Sequence, residues 1–269
     1  MTGQQESAHA VGSIELKKSN GIATVSIANP RKRNALTQSM CIGIADAMSA
    51  LDRDPEVVVI ALKGSGSDFS AGAALQDLEQ VLFSASANEG TVDYLSRADE
   101  AIGTVRKPTI AVVEGICMGG GWQIASACDM VLASSNARIA ITPSKLGILY
   151  PRAGVERLVR RVGADRAKYL LFTANEVTPE LAERWGLVTE LIPASAFAET
   201  VEARLGTVAK RSQFSIVNIK KLIDQPAGPN RERTWNAAWQ EFQGHDDLAV
   251  GRAAFKSGYR PEFLWRVSD

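Results

Sequence analysis

Apolar residues recur along this chain with two periods, one typical of strands and one typical of helices. Residues 21–28, GIATVSIA, alternate with a period of two, which predicts a half-buried strand. Residues 35–51 place apolar side chains three and four positions apart, which predicts an amphipathic helix. The helical stripe consists of Leu36, Met40, Ile44, Met48 and Leu51.

Continuous apolar runs predict further strands, of the type that is buried on both faces of a sheet. They are residues 56–64, 108–115 and 130–134. The first two runs are each followed by a glycine turn, around Gly72 and Gly120, and then by a helix pattern, near 74–83 and up to about Ala127. This repetition of strand, turn and helix predicts a layered α/β core.

The chain from about residue 155 onward has a helical pattern. Residues 178–186 are punctuated as a helix, with Thr178 at the N-cap, Pro179 at the first position and Gly186 past the end. Residues 196–223 and 232–257 complete a helical C-terminal third. The polar segment 84–100 predicts a mobile loop or a short helix over a cleft.

Composition and charge narrow the class of protein. The 269 residues suffice for one large domain, or for a core with an appendage. Thirty basic and thirty acidic residues cancel without a block of like charge, so nothing favours binding to nucleic acid or to a membrane surface. The opening residues, 1–12, are polar and predict a disordered tail. The apolar runs are too short to cross a bilayer, and a soluble cytoplasmic protein is expected.

The cysteines and histidines do not form a metal-binding pattern. Cys41, Cys117 and Cys128 lie in apolar segments without a CxxC spacing, which predicts small buried side chains. The only histidines are His9 and His245. No metal site is expected.

The stretch GICMGGGWQIASACD, residues 115–129, raises the question of what its glycine cluster does. It lacks the GK[ST] ending of a phosphate-binding loop and the GxGxxG spacing of a dinucleotide-binding turn. Two interpretations stay open: tight packing of a helix on a strand, or an oxyanion hole. In the second, the backbone N–H groups of Ala73 and Gly120 converge on one substrate oxygen.

Several motifs together resemble the crotonase, or enoyl-CoA hydratase/isomerase, superfamily. They are NPRKRNAL (29–36), DFSAGAAL (68–75) and PTIAVVEGICMGGGWQIASACD (108–129), and the similarity continues from TPSKLGILYPRAGV to AAFKSGYRPEF. The resemblance covers almost everything from about Ile14. It implies a spiral of ββα repeats with residues 13–195 as the core, and a helical trimerisation region over 196–269.

The same resemblance implies an acyl-CoA ligand and the residues that hold it. The thioester oxygen would lie between the N–H groups of Ala73 and Gly120. The CoA moiety, which the substrate itself carries, would run past Lys32, Arg33, Ala35, Ala71, Ala74 and Leu75. Lys32 and Arg33 suit the CoA phosphates; without the resemblance, a solvated loop would be the favoured explanation of these two cations. No separate cofactor is expected, and the assembly would be a homo-trimer or a dimer of trimers.

Two glutamates that hydratases of this superfamily use are absent. The first position, three residues after the oxyanion-hole glycine, is Gln123, which cannot take a proton at neutral pH. The second aligns with Pro143, or with Ser144 after a shift of one residue. Four acids elsewhere could substitute, but their positions are more typical of surface or capping charges: Asp77, Glu79, Asp129 and Glu156.

The segment TPSKLGILYPRAGV resembles the methylmalonyl-CoA decarboxylase type, in which Thr142 and Tyr150 would orient a departing carboxylate. That type has a His-Asp pair where this chain has Ala73 and Ala74. It also has a glutamate at the position that Gln123 occupies in this chain. A core or interface tyrosine is the alternative for Tyr150. Three functional hypotheses follow: an enolate-stabilising decarboxylase- or isomerase-like enzyme, a conventional hydratase, and a non-catalytic acyl-CoA-binding paralogue.

Overall fold

The apolar segments form the strands of three sheets. The structure is a computed structural model that describes residues 12–86 and 90–267. Its strands are β1 (Ser13–Ser19), β2 (Ile22–Ala28), β3 (Val59–Gly64), β4 (Ser84–Ser86), β5 (Gly90–Val92), β6 (Thr109–Val113), β7 (Ile116–Met118), β8 (Met130–Ser134), β9 (Arg138–Ala140), β10 (Glu176–Val177) and β11 (Glu190–Ile192). The predicted tail lies outside the described residues, except for Gly12.

Helices connect and cover these strands. They are α1 (Gln38–Arg53), α2 (Leu78–Leu82), α3 (Tyr94–Thr104), α4 (Gly120–Ala127), α5 (Arg152–Val162), α6 (Ala164–Thr173), α7 (Pro179–Trp185), α8 (Phe197–Ala209), α9 (Gln213–Asp224), α10 (Pro229–Gln243) and α11 (Asp246–Ser257). Short 3₁₀ turns at Pro30–Lys32, Leu75–Asp77, Pro143–Leu146 and Ala194–Ala196 complete the set.

The main sheet has six strands in the order β1-β2-β3-β6-β8-β11. Only β1 and β2 pair antiparallel, and the remaining neighbours are parallel. Both faces are covered, as the continuous apolar runs predict. One face contributes to the large core with α1, α3 and α4, whereas the other packs against Phe197, Val201 and Leu205 of α8.

The helical stripe predicted for residues 35–51 is buried throughout. Met40, Ile44, Met48 and Leu51 lie on the inner face of α1. Leu36 precedes the helix and instead forms an isolated parallel bridge with Ala73. Thr37 caps the helix because its side chain accepts a hydrogen bond from the Met40 amide.

Two predictions about local structure were wrong in detail. Segment 84–100 is not a loop with at most a short helix, since it contains β4, β5 and most of the eleven-residue helix α3. The chain after residue 155 is not wholly helical, because β10 and β11 extend the two sheets. Strands of two or three residues carry too few alternating positions to give a periodic signal.

Three further sequence predictions agree with the structure: the fold class, the caps of α7 and the burial of the cysteines. The mixed α/β class is confirmed, and α7 has the predicted caps, with Thr178 accepting from the Leu181 amide and Gly186 in the left-handed region. All three cysteines are buried, and burial raises the pKa of Cys41 and of Cys128 to about 12. Within the described residues, no helix is long and apolar enough to span a membrane.

Candidate active site

The two glycine-containing turns lie side by side at the edge of the small sheet formed by β7, β9 and β10. Segment 69–74 pairs with Leu36 on one side through Ala73 and with Cys117 on the other through Ser70. The Ser70 amide donates to the Ile116 carbonyl at 2.8 Å, and the Met118 amide donates to the Ser70 carbonyl at 3.0 Å. Backbone pairing therefore fixes the position of one turn against the other.

The backbone nitrogens of Ala73 and Gly120 are close together. The Ala73 nitrogen lies 3.2 Å from the position that a Cβ on Gly120 would occupy. Because the Gly120 nitrogen is about 2.5 Å from that same position by standard bond geometry, the two nitrogens lie within about 6 Å of each other. One oxygen atom can accept hydrogen bonds from two donors at that separation.

Glycine at positions 72 and 121 permits this close approach. Gly72 has φ +95°, and a Cβ there would lie 2.8 Å from the Met118 carbonyl oxygen. A Cβ on Gly121 would lie 2.4 Å from the Ser70 carbonyl oxygen. A side chain at either position would force the two turns apart. The absence of side chains at these glycines therefore explains both the tight packing of the turns and the proximity of the Ala73 and Gly120 amides.

Both N–H groups are unused by the protein itself. Gly120 is the first residue of α4, where an amide has no partner inside the helix. Within the described residues, neither the Ala73 nor the Gly120 amide donates to another protein group. The start of a helix also carries partial positive charge, which favours an oxygen that gains negative charge.

These amides form part of the wall of a cavity of about 470 Å³. Of the candidate site residues, Ala71, Ala73, Leu75, Gly120, Gln123, Thr142 and Tyr150 line it. The rest of the wall is mainly apolar, with contributions from Leu78, Leu82, Phe83, Leu95, Met118, Ile148 and Leu149. The sequence patterns around Gly72, Gly120 and Thr142 thus converge on one cavity.

The loop predicted to follow the CoA moiety runs beside this cavity rather than in its wall. Lys32 and Arg33 are exposed, and the Arg33 carbonyl accepts from the Ala71 amide at 2.9 Å. Ala35 is half-buried, while Ala74 is buried and its amide donates to the Leu36 carbonyl. These four candidates therefore flank the cavity without lining it.

Asn34, which the sequence did not single out, anchors that loop. It is fully buried with φ +54°, and its side-chain amide donates to the carbonyls of Ser65 at 2.8 Å and Asp68 at 2.6 Å. Its Oδ1 accepts from the Asn29 amide. The asparagine between basic and apolar residues in NPRKRNAL was the available signal, since asparagine tolerates the left-handed conformation.

The two positions of the missing glutamates both belong to the cavity. Gln123 is 1% exposed, and its Nε2 has no hydrogen-bond partner. Pro143 is buried in the cavity wall. Ser144 is exposed and donates its hydroxyl to the Leu171 carbonyl instead, which supports the alignment without a shift.

The four acids considered as replacements do not line the cavity. Asp129 accepts from Thr109 and pairs with Lys220, and Glu156 pairs with Arg152 on the surface of α5. Asp77 and Glu79 lie in the short helical segments beside the cavity. A different carboxylate, Asp93, does line it. Asp93 lies in segment 84–100, which the sequence predicted to be a mobile loop or a short helix. Nothing in that pattern marked Asp93 as a candidate site residue.

Tyr150 contributes its ring to the cavity wall, and its hydroxyl is buried without a partner. Burial, and next the charge of Asp99, raise the pKa of its phenol far above the usual value, so it stays protonated. The ring packs against Gly154, where a Cβ would lie 2.6 Å from Cε1. Thr142 Oγ1 lies 3.0 Å from the Cβ position of Gly119, in the glycine turn that precedes α4.

A buried ion pair holds the helices behind the cavity together. Arg157 on α5 binds the Asp99 carboxylate on α3 in a bidentate manner, at 2.8 and 2.9 Å. The same guanidinium reaches the Gln123 carbonyl at 3.4 Å and the Ser126 hydroxyl at 3.3 Å on α4. The helices α3, α4 and α5 are therefore joined through one side chain.

Comparison with known proteins decides the family. The sequence model of the enoyl-CoA hydratase/isomerase family matches residues 17–264. The chain belongs to the enoyl-CoA hydratase/isomerase family. The fold predicted from the motifs is therefore confirmed at the level of the superfamily, and the acyl-CoA class of ligand is that of the family.

Relatives and solved structures agree with this assignment. A putative enoyl-CoA hydratase of Thermus thermophilus is 33% identical, over 93% of this chain and 100% of its own length. A crotonyl-CoA hydratase of Syntrophomonas wolfei is 31% identical, over 95% and 99%. A crystal structure of an enoyl-CoA hydratase/isomerase family member superimposes with a TM-score of 0.94, at 42% identity over 97% of this chain and 100% of that one.

Proposed function

We propose that this family member stabilises the enolate of an acyl-CoA thioester between the Ala73 and Gly120 amides, and that it acts as a decarboxylase- or isomerase-like enzyme. The observation that carries the proposal is the pair of unused N–H groups in the wall of an apolar cavity. Preorganised main-chain donors stabilise developing negative charge, and each contributes about 3 kcal/mol by mutagenesis of comparable sites.

The surroundings of the cavity suit a CoA thioester. Leu75, Phe83, Leu146 and Leu149 are between half and almost fully exposed at its rim, where they offer apolar contact to an acyl chain or to the pantetheine arm. Lys145 also lines the rim, and Lys32 and Arg33 lie on the flanking loop. These cations complement the phosphates of CoA.

The absence of both glutamates favours reactions that form an enolate without a pair of acids. In decarboxylation, the bond from C2 to the carboxylate breaks, its electrons pass to the thioester oxygen, and CO₂ leaves. In isomerisation, one base moves a single proton along the acyl chain. Hydration instead requires one group to activate water and another to deliver a proton.

Two alternatives make different predictions for one experiment. The names of several relatives favour hydration, and an acyl-CoA-binding paralogue without activity would also lack the glutamates. A mass-spectrometric screen of the purified protein against crotonyl-CoA, methylmalonyl-CoA and a 3-enoyl-CoA separates the three. Loss of CO₂ or movement of the double bond supports the proposal, whereas addition of water alone, or no reaction with any thioester, contradicts it.

If the enzyme accepts a 2-carboxyacyl-CoA, Tyr150→Phe should lower its turnover by about 10- to 100-fold, the cost of losing one hydrogen bond to a charged group. The hydroxyl has no partner in the protein, so its loss should leave the free energy of unfolding and the Kd for CoA nearly unchanged. Steady-state kinetics and denaturant titration measure these quantities. Tyr169→Phe, on the exposed Tyr169 of α6, is the matched control. Equal turnover by Tyr150→Phe and wild type would remove Tyr150 from the mechanism.

We also propose a homo-oligomer with a subunit number divisible by three. Helices α10 and α11 leave large apolar side chains exposed, among them Trp235 at 38%, Trp239 at 50% and Phe255 at 91%. Burial of such surface at an interface is favourable, at about 25 cal/mol per Å². Multi-angle light scattering at micromolar concentration should give the mass of a trimer or hexamer, and a monomer or dimer would contradict this assembly.

A further inference from the structure

Asp93 places a carboxylate in the wall of the cavity, where Gln123 and Pro143 occupy the positions of the two missing glutamates. Among the described residues that line the cavity, it is the only aspartate or glutamate. It immediately precedes α3 and is half-buried, in contrast to the exposed acids of the surface. A carboxylate at this place has to be explained either as a helix cap alone or as a group that also faces the ligand.

The hydrogen bonds that cap α3 leave the Asp93 carboxylate able to accept further hydrogen bonds or a proton. Oδ1 accepts from the Ser96 amide at 3.0 Å, and Oδ2 accepts from the Ser96 hydroxyl at 2.5 Å. Each carboxylate oxygen has two lone pairs, so each retains one after these bonds. The two bonds also fix the orientation of the carboxylate, as a positioned base requires.

The start of α3 lies directly against the oxyanion turn. Leu95, two residues after Asp93, places Cδ2 at 2.8 Å from the Cβ position of Gly120, and its side chain lines the same cavity. The thioester oxygen would bind at that glycine, and C2 of an acyl chain is only two bonds from that oxygen. Asp93 and Leu95 therefore line the same cavity as Gly120, and Leu95 contacts that glycine directly.

We propose that Asp93 is the general base of this enzyme and that its substrates are uncharged 3-enoyl thioesters, which it isomerises. The inference rests on the proposed enolate function. Asp93 takes a proton from C2, and the electrons of the C–H bond form a dienolate whose charge lies on the thioester oxygen. The double bond then moves from C3–C4 to C2–C3 as Asp93 returns the proton to C4, so the carboxylate is regenerated and no water is consumed.

The Asp93 carboxylate also makes decarboxylation of a 2-carboxyacyl thioester less favourable than isomerisation in this cavity. A 2-carboxyacyl thioester would bring a second negative charge into a cavity that already holds Asp93, and like charges in a partly desolvated site repel. An uncharged 3-enoyl chain meets no such penalty, and the apolar wall formed by residues such as Leu78, Leu82 and Ile148 suits it.

Asp93→Asn tests the assignment because asparagine caps helices about as well as aspartate but does not act as a base. We expect conversion of 3-hexenoyl-CoA to the 2-enoyl isomer to fall by about 10²- to 10⁴-fold, the usual contribution of a positioned base. The unfolding midpoint and the Kd for CoA should stay at their wild-type values. Asp77→Asn makes the same change at a half-buried aspartate outside the cavity wall and should leave the rate unaltered.

The outcomes separate this inference from the proposed function. If wild type isomerises 3-hexenoyl-CoA and Asp93→Asn does so equally fast, the assignment of Asp93 is wrong while the enolate function stands. If wild type instead decarboxylates methylmalonyl-CoA and does not isomerise 3-hexenoyl-CoA, the assignment of Asp93 is also wrong, and the enolate function again stands. If wild type does neither, both the inference and the proposed function are overturned. Loss of activity in Asp93→Asn, with Asp77→Asn intact, supports both.

Discussion

Purified wild-type protein should hydrate crotonyl-CoA at or below about a ten-thousandth of the rate of a competent hydratase, because each missing acid or base typically contributes 10²–10⁴-fold. Gln123 cannot take a proton at neutral pH, and Pro143 has no side-chain donor or acceptor. Both line the cavity, which supports the alignment of these two positions with the missing glutamates. The rate of loss of the conjugated thioester absorbance measures hydration directly.

The crotonyl-CoA hydratase of Syntrophomonas wolfei, assayed at the same enzyme and substrate concentrations, is the positive control. Robust hydration by the wild-type protein would contradict the proposed function. It would mean that Asp93, the described carboxylate in the cavity wall, activates water and that another group delivers the proton. Asp93→Asn would then abolish hydration.

Gly120→Pro should lower turnover of whichever thioester the protein accepts by about 10²- to 10³-fold, the cost of one oxyanion-hole donor. Proline has no N–H, and it is tolerated at the first position of a helix, where Gly120 lies. The helix should therefore form while the donor is lost. Initial rates at saturating substrate measure the effect on kcat.

Gly120→Ala controls for the added Cβ, so a difference between the two variants comes from the replacement of the N–H by the proline ring. Alanine keeps the N–H and introduces the Cβ that proline also carries, which lies 2.8 Å from the flexible end of Leu95 and 3.2 Å from the Ala73 nitrogen. We expect kcat of the alanine variant to lie well above that of the proline variant. Equal kcat values for the two variants would show that crowding, rather than the missing N–H, causes the loss, and the oxyanion-hole assignment of Gly120 would fail.

The sequence predicted the core and the two glycine turns well because their signals are local. Long apolar runs predicted β3, β6 and β8, and the glycine cluster predicted a turn around Gly120 that leads into the helix α4. The proximity of the two turns also had a local signal, since Gly72 and Gly121 are the positions where a side chain would collide with the opposite turn. The family motifs added the ligand class.

Interactions between distant segments were not predictable in the same way. Asp93 has the sequence surroundings of an ordinary N-cap, and only the packing of α3 against Gly120 brings it to the cavity. The ion pair of Arg157 with Asp99 joins residues 58 positions apart, which no periodicity indicates. The two- and three-residue strands were missed because tertiary pairing, rather than local pattern, forms them.

The central claim is that one thioester oxygen binds between the Ala73 and Gly120 amides. A crystal structure of the protein with butyryl-CoA, which has no double bond to hydrate or move, measures this most directly. We predict that its thioester oxygen lies about 2.7–3.1 Å from both nitrogens, with the acyl chain directed toward Gln123 and Asp93. A thioester oxygen beyond hydrogen-bond distance of either nitrogen, with the acyl chain outside this cavity, would contradict it.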